Sequence, residues 1–111
     1  MSIKTERYGN IFVEKISEII RDEVKDDEIS FVTITACKIT NDLSFAKVYF
    51  TTLNDSKRDS VLKALNRASK FIRGELCNRV DIRHMPELTF VYDDSIEYGN
   101  KIEGIIEDIN D

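Results

Sequence analysis

With one histidine, one proline, two cysteines and four glycines in 111 residues, the chain lacks the raw material of several function classes. Cys37 and Cys77 stand far apart and show no metal-ligand spacing. Both are expected to be small buried apolar groups in a reducing cytoplasm, not a disulfide. His84 has no second histidine, cysteine or spaced carboxylate to complete a metal site or a catalytic triad, so it is expected to be a structural or surface group. The glycines form no phosphate-cradling loop, and there is no nucleophile elbow or facing carboxylate pair. Catalysis has no candidate residue, and neither metal nor cofactor is expected. No apolar run approaches the ~20 residues of a membrane span, and the opening MSIKTERYGN holds no apolar stretch of the secretory kind. The expectation is a cytoplasmic single domain over residues 1–111, with an ordered core over about 6–108.

What is present is charge, unevenly placed. The whole chain carries 16 Lys/Arg and 21 Asp/Glu, a net −5. Between Lys57 and His84 there are eight basic residues (Lys57, Arg58, Lys63, Arg67, Lys70, Arg73, Arg79, Arg83) against Asp59, Glu75 and Asp81, which is 8 − 3 = +5, so the remainder carries −10. Positive potential confined to one segment of an acidic protein points to a phosphate-bearing partner.

Hydrophobic periodicity sets the elements. Tyr8, Phe12, Ile16, Ile19 and Ile20 make a helical stripe over about Glu6 to Val24, with Thr5 as its expected N-cap and Asp26-Asp27-Glu28 as its end. Two β-rich runs follow, Ser30–Thr40 and Phe45–Leu53, joined by the turn Asn41-Asp42-Leu43-Ser44 into a hairpin. In the first run, Phe31, Thr33, Thr35, Cys37 and Ile39 alternate with Val32, Ile34, Ala36 and Lys38. Asn54-Asp55-Ser56 leads into a helical segment whose Val61, Leu65, Ala68, Ile72 and Leu76 share one face, with Lys63, Arg67 and Lys70 opposite and Arg73 flanking. A single helix of ~22 residues exceeds the globular mean of ~11–12, so two shorter helices broken near Ala68-Ser69-Lys70 are expected. The only proline, Pro86, opens a strand in which Leu88, Phe90 and Tyr92 alternate with Thr89 and Val91. Asp93-Asp94-Ser95 then signals a last helix carrying Ile96, Ile102, Ile105, Ile106 and Ile109. The order is α-β-β-α-α-β-α: three strands in one sheet, covered by helices, an α+β class.

The blocks VTITACKITNDLSFAKVYF (32–50), ALNRASKFIRGEL (64–76) and PELTFVYDDS (86–95), in this order and spacing, resemble the ribosome-binding factor A family over about residues 6–108. The resemblance implies a type II KH-like domain that binds the free 30S small ribosomal subunit. It further implies a non-catalytic part in late maturation of 16S rRNA, including its 5′ end, and in cold adaptation, with an assembly GTPase as a further partner. KH domains ordinarily grip nucleotides with a Gly-x-x-Gly loop between two helices. This family has an Ala-x-Gly kink there, which aligns with Ala68-Ser69-Lys70, so this chain departs at the third position. Either Lys70 adopts a left-handed backbone at a cost of ~1–2 kcal/mol, or the kink is shallower and Lys70 adds a phosphate contact.

Lys63, Arg67, Ala68, Ser69, Lys70 and Arg73 are therefore the expected RNA-binding residues, the alternative being an ordinary solvated helix face. Arg79 and Arg83 either reach rRNA or pair with Asp81 and Asp93. Tyr49 and Tyr92 are expected in the core, not stacked on bases. Asp93, Asp94 and Glu97 are expected to serve a helix cap with Ser95 and not a divalent ion. About five phosphate contacts would cost roughly 100-fold in affinity between about 50 and 200 mM salt. A protein-docking module on the same scaffold is the other reading. A monomer is expected, because no apolar stripe is left over once the core is assigned.

Overall fold

The computed structural model describes residues 3–24, 29, 32–53 and 55–94. The run Asp26-Asp27-Glu28 and the expected last helix lie outside them.

Helix α1 spans Ile3–Asp22 and buries Phe12, Ile16, Ile19 and Ile20. It starts before Thr5, which is a buried residue of its first turns and not its cap. Gly9 is buried where α1 crosses β1, and a Cβ there would overlap the carbonyl oxygen of Cys37. The absent side chain sets how closely helix and strand approach.

Strands β1 (Val32–Ile39) and β2 (Phe45–Thr52) pair antiparallel, and β3 (Glu87–Tyr92) lies parallel to β2 at the edge. In the hairpin turn, Leu43 N–H donates to Thr40 O at 2.9 Å. The Asp42 carboxylate accepts from Thr40 Oγ1 at 2.8 Å and from Ser44 N at 3.0 Å. Those bonds, Thr40's first, hold its pKa below the usual carboxylate value. Leu43 closes the turn with φ 62°, the one non-glycine in the left-handed region among the described residues.

β1 departs from strict alternation. Its register shifts between Ile34 and Ala36, so Thr35 is an extra residue of a bulge. The shift places Ile34, Cys37 and Ile39 on the helix-covered face together with Ala46, Val48, Phe50, Leu88, Phe90 and Tyr92. Lys38, Phe45, Lys47, Tyr49, Thr89 and Val91 occupy the opposite face. Tyr49 is thus outside the core, half-buried beneath the Lys38 ammonium at 5.6 Å, whereas Tyr92 packs edge-on to Phe50 at 5.6 Å as expected. Burial raises the Cys37 thiol to about 12. Cys77, expected inside, is exposed on a helix, and both cysteines are free.

A 3₁₀ turn at Asp55–Lys57 leads into helix α2, Arg58–Arg79, which forms the crossover between the parallel strands. It is one helix of 22 residues, not two. The break expected at Ala68-Ser69-Lys70 is absent, and Lys70 has no positive φ. With neither Gly nor Pro at 68–70, and Ala, Leu, Lys and Arg dense along the segment, nothing stops helix propagation there. Ser69 returns its hydroxyl to Asn66 O at 3.0 Å without interrupting the helix.

A cationic helix face as candidate nucleic-acid interface

One side of α2 is fixed by burial. Val61, Ala64, Leu65, Ile72 and Leu76 lie against the sheet and α1. At 100° per residue the opposite side carries Lys63, Arg67 and Lys70 within about 60° of arc. All three are exposed. The unbroken helix is what aligns them, since a break at 68–70 would turn Lys70 away from Lys63. Phosphates on an RNA backbone are the partners that such a row of Lys and Arg attracts.

The other expected contacts divide. Ala68 is half-buried and packs on the core, and Ser69 is half-buried with its hydroxyl bonded to Asn66, so neither presents a side chain along the row. Arg73 is half-buried and acts as a brace. Its Nε donates to Pro86 O at 3.1 Å and its Nη2 to Met85 O at 2.7 Å, tying the entrance of β3 to α2. Its guanidinium still forms one wall of a shallow groove of about 260 Å³, with Ser69, Lys70, Glu87 and Leu88.

Arg79 lies on a different side of the molecule. Its guanidinium reaches Glu23 at 3.5 Å, Glu75 at 3.7 Å and Glu18 at 3.9 Å, which joins the end of α2 to α1. On the wheel it falls on the buried side, and the glutamates neutralise it there. The alternative pairing of Arg79 with Asp81 or Asp93 is replaced by these contacts. Asp93 instead accepts a hydrogen bond from Thr35 Oγ1 at 2.5 Å, across the sheet. Asp94 pairs with Arg58 at 3.6 Å, and Arg58 also lies over the Tyr92 ring at 5.0 Å. Arg58 thus belongs to the β3 end, a structural role that the charge count alone concealed. Arg83 and His84 are both exposed in the bend between α2 and β3.

Sequence reasoning passed over Phe71, which is 46% exposed on α2 one turn beyond Arg67. Its wheel position, off the apolar stripe, was the available signal. Among the described residues no group of His, Cys, Asp or Glu has the placement to hold a metal ion, and no helix is long and apolar enough to cross a membrane.

A family profile for ribosome-binding factor A matches residues 4–106 of the chain. Ribosome-binding factor A of Staphylococcus epidermidis is 49% identical over 110 residues, covering 98% of this chain and 95% of that protein. The Staphylococcus carnosus protein of the same name is 49% identical over 109 residues, covering 97% and 95%. Among solved structures, the crystal structure of ribosome-binding factor A from Thermus thermophilus superposes with a TM-score of 0.73 at 24% identity, covering 79% of this chain and 94% of that one. A second Thermus thermophilus structure, a homology model of the factor fitted into a cryo-EM map of a 30S complex, gives a TM-score of 0.63 at 22% identity, covering 86% and 97%. These two carry the fold alone, a KH-like α+β arrangement. Sequence and fold agree: the chain belongs to the ribosome-binding factor A family.

Proposed function

We propose that this protein binds the free 30S ribosomal subunit in the cytoplasm, with Lys63, Arg67 and Lys70 on 16S rRNA phosphates. Arg83 and the Ser69–Lys70–Arg73 groove extend the contact. It acts as a single-domain monomer with no chemistry of its own. The observation that carries this reading is the alignment of three exposed cations opposite the buried face of one unbroken helix, on a chain whose remainder is acidic. Family membership supplies the ribosomal context, and the homology model of the Thermus factor fitted into a cryo-EM map of its 30S complex supports it.

The mechanism is electrostatic and conformational. A cationic row carried on one continuous helix favours whichever rRNA conformation brings several phosphates along it. Held on an immature subunit, the protein stabilises that conformation while the 16S 5′ end is processed, and it blocks premature entry into translation. Release follows when maturation, or an assembly GTPase, remodels the rRNA and withdraws the matching phosphates. Cold adaptation follows from the same preference, because misfolded RNA is escaped more slowly at low temperature.

The test is co-sedimentation of Lys63→Glu/Arg67→Glu with free small subunits. Each reversal removes one attraction and adds a repulsion, so binding is expected to disappear while circular dichroism and Tm stay near wild type. Unchanged co-sedimentation would refute the reading.

A further inference from the structure

We propose that Phe71 is a stacking platform for an unpaired nucleobase of the bound RNA, a role that rests on the RNA-binding reading above. Three observations on the same helix face converge on it. First, Phe71 leaves 46% of its surface in water although the core is within one turn on either side, at Ala68 and Ile72. Second, it adjoins the cationic row, four residues after Arg67 and one after Lys70. A base seated on the ring therefore has its flanking phosphates within reach of those side chains, and stacking plus phosphate neutralisation is how single strands are held without sequence reading.

Third, Gly74 lies three residues beyond Phe71, and a Cβ at that position would meet nothing within 4 Å. No packing inside the protein requires this glycine, and in a helix interior it is less favourable than alanine. Helical side chains lean toward the N-terminus and cover the turn before their own Cα. A side chain at 74 would therefore lean over the Phe71 turn. Gly74 keeps that side of the ring open to a flat ligand. The charge of the surroundings favours a nucleic acid, which carries the phosphates that Lys63, Arg67 and Lys70 attract, over an uncharged apolar protein anchor, which gains nothing from three cations at its rim.

The chain contains no tryptophan, so Phe71→Trp supplies a single reporter with a ring that also stacks. The probes are a single-stranded oligoadenylate and a blunt adenine–uracil duplex of equal length. The oligoadenylate is expected to quench the Phe71→Trp emission, and the duplex, with no free base, is not. Phe71→Ala should bind the oligoadenylate roughly 10- to 100-fold more weakly, with the slope of log affinity against log salt unchanged. Phe71→Tyr should retain the affinity. Gly74→Leu, a good helix former, should weaken oligoadenylate binding without lowering Tm. Equal oligoadenylate affinity for wild type and Phe71→Ala, with no quenching, would overturn the stacking role while leaving phosphate binding standing. Failure of both RNAs to bind even the wild type would instead sink the RNA-binding reading itself. Quenching by the extracted proteins of the small subunit, and not by RNA, would overturn the proposal in favour of a protein contact.

Discussion

Two glycines on two helices should respond in opposite directions to the same substitution. At Gly9 an added methyl meets the backbone carbonyl of Cys37, which belongs to the middle of β1 and cannot turn aside as a side-chain tip would. Replacing a helical glycine by alanine gains about 0.5–1 kcal/mol of propensity. Forcing helix and sheet apart costs about 1–3 kcal/mol, toward the upper end where backbone must move. The balance for Gly9→Ala is a loss of roughly 1–2 kcal/mol, which in a domain of this size lowers Tm by roughly 5–15 °C. At Gly74 the obstacle is missing, so Gly74→Ala should stabilise by about 0.4–1 kcal/mol and raise Tm by a few degrees. Urea titrations of the two variants beside wild type read both signs, provided the m-values stay constant. A Gly9→Ala variant as stable as wild type would refute the close approach of α1 to β1. A destabilised Gly74→Ala would show that the α2 surface is covered from within the protein.

The two cysteines give a second contrast: a maleimide should modify Cys77 in the native protein within the time that leaves Cys37 intact, as followed by mass spectrometry with and without urea. Because Cys77 shares the outer side of α2 with Lys70, bound small subunits should slow its modification, and an undiminished rate would place the RNA elsewhere. Burial raises Cys37 from its ordinary value near 9 to about 12, so the folded thiol keeps its proton after the unfolded chain has lost it. Stability should therefore fall between about pH 9 and 12 more steeply in wild type than in Cys37→Ala, and parallel profiles would contradict the burial. Arg79→Met removes contacts to Glu18, Glu23 and Glu75 whose side chains are partly exposed, so it should cost only about 0.5–1 kcal/mol of stability and leave small-subunit binding unchanged.

Much of this protein could be read from hydrophobic period. The stripe Phe12–Ile16–Ile19–Ile20, the hairpin and the Pro86-led strand appear where the spacing put them, because each element has one buried face. Alternation failed at β1, where the bulge at Thr35 moves Cys37 and Ile39 onto the face of Ile34. An extra residue leaves no mark in composition. Mean helix length misled at α2. The sequence held no breaker at 68–70, and the helix continues through. The cationic row was legible because helical geometry fixes which residues oppose Val61 and Leu65. The destinations of Arg73 and Arg79 were not, since Met85, Pro86, Glu18 and Glu23 reach them only through the fold.

The most direct measurement is the affinity of the wild-type protein for free small subunits as salt is raised. With Lys63, Arg67, Lys70 and Arg83 on phosphates, log affinity should fall against log salt with a slope of about −3, near −0.7 to −0.9 per contact, or roughly 50- to 150-fold between about 50 and 200 mM. Removing Lys63 or Lys70 alone should reduce that slope by close to 1. A wild-type slope near zero, or one that neither lysine changes, would contradict the claim that this helix face holds ribosomal RNA by its charge.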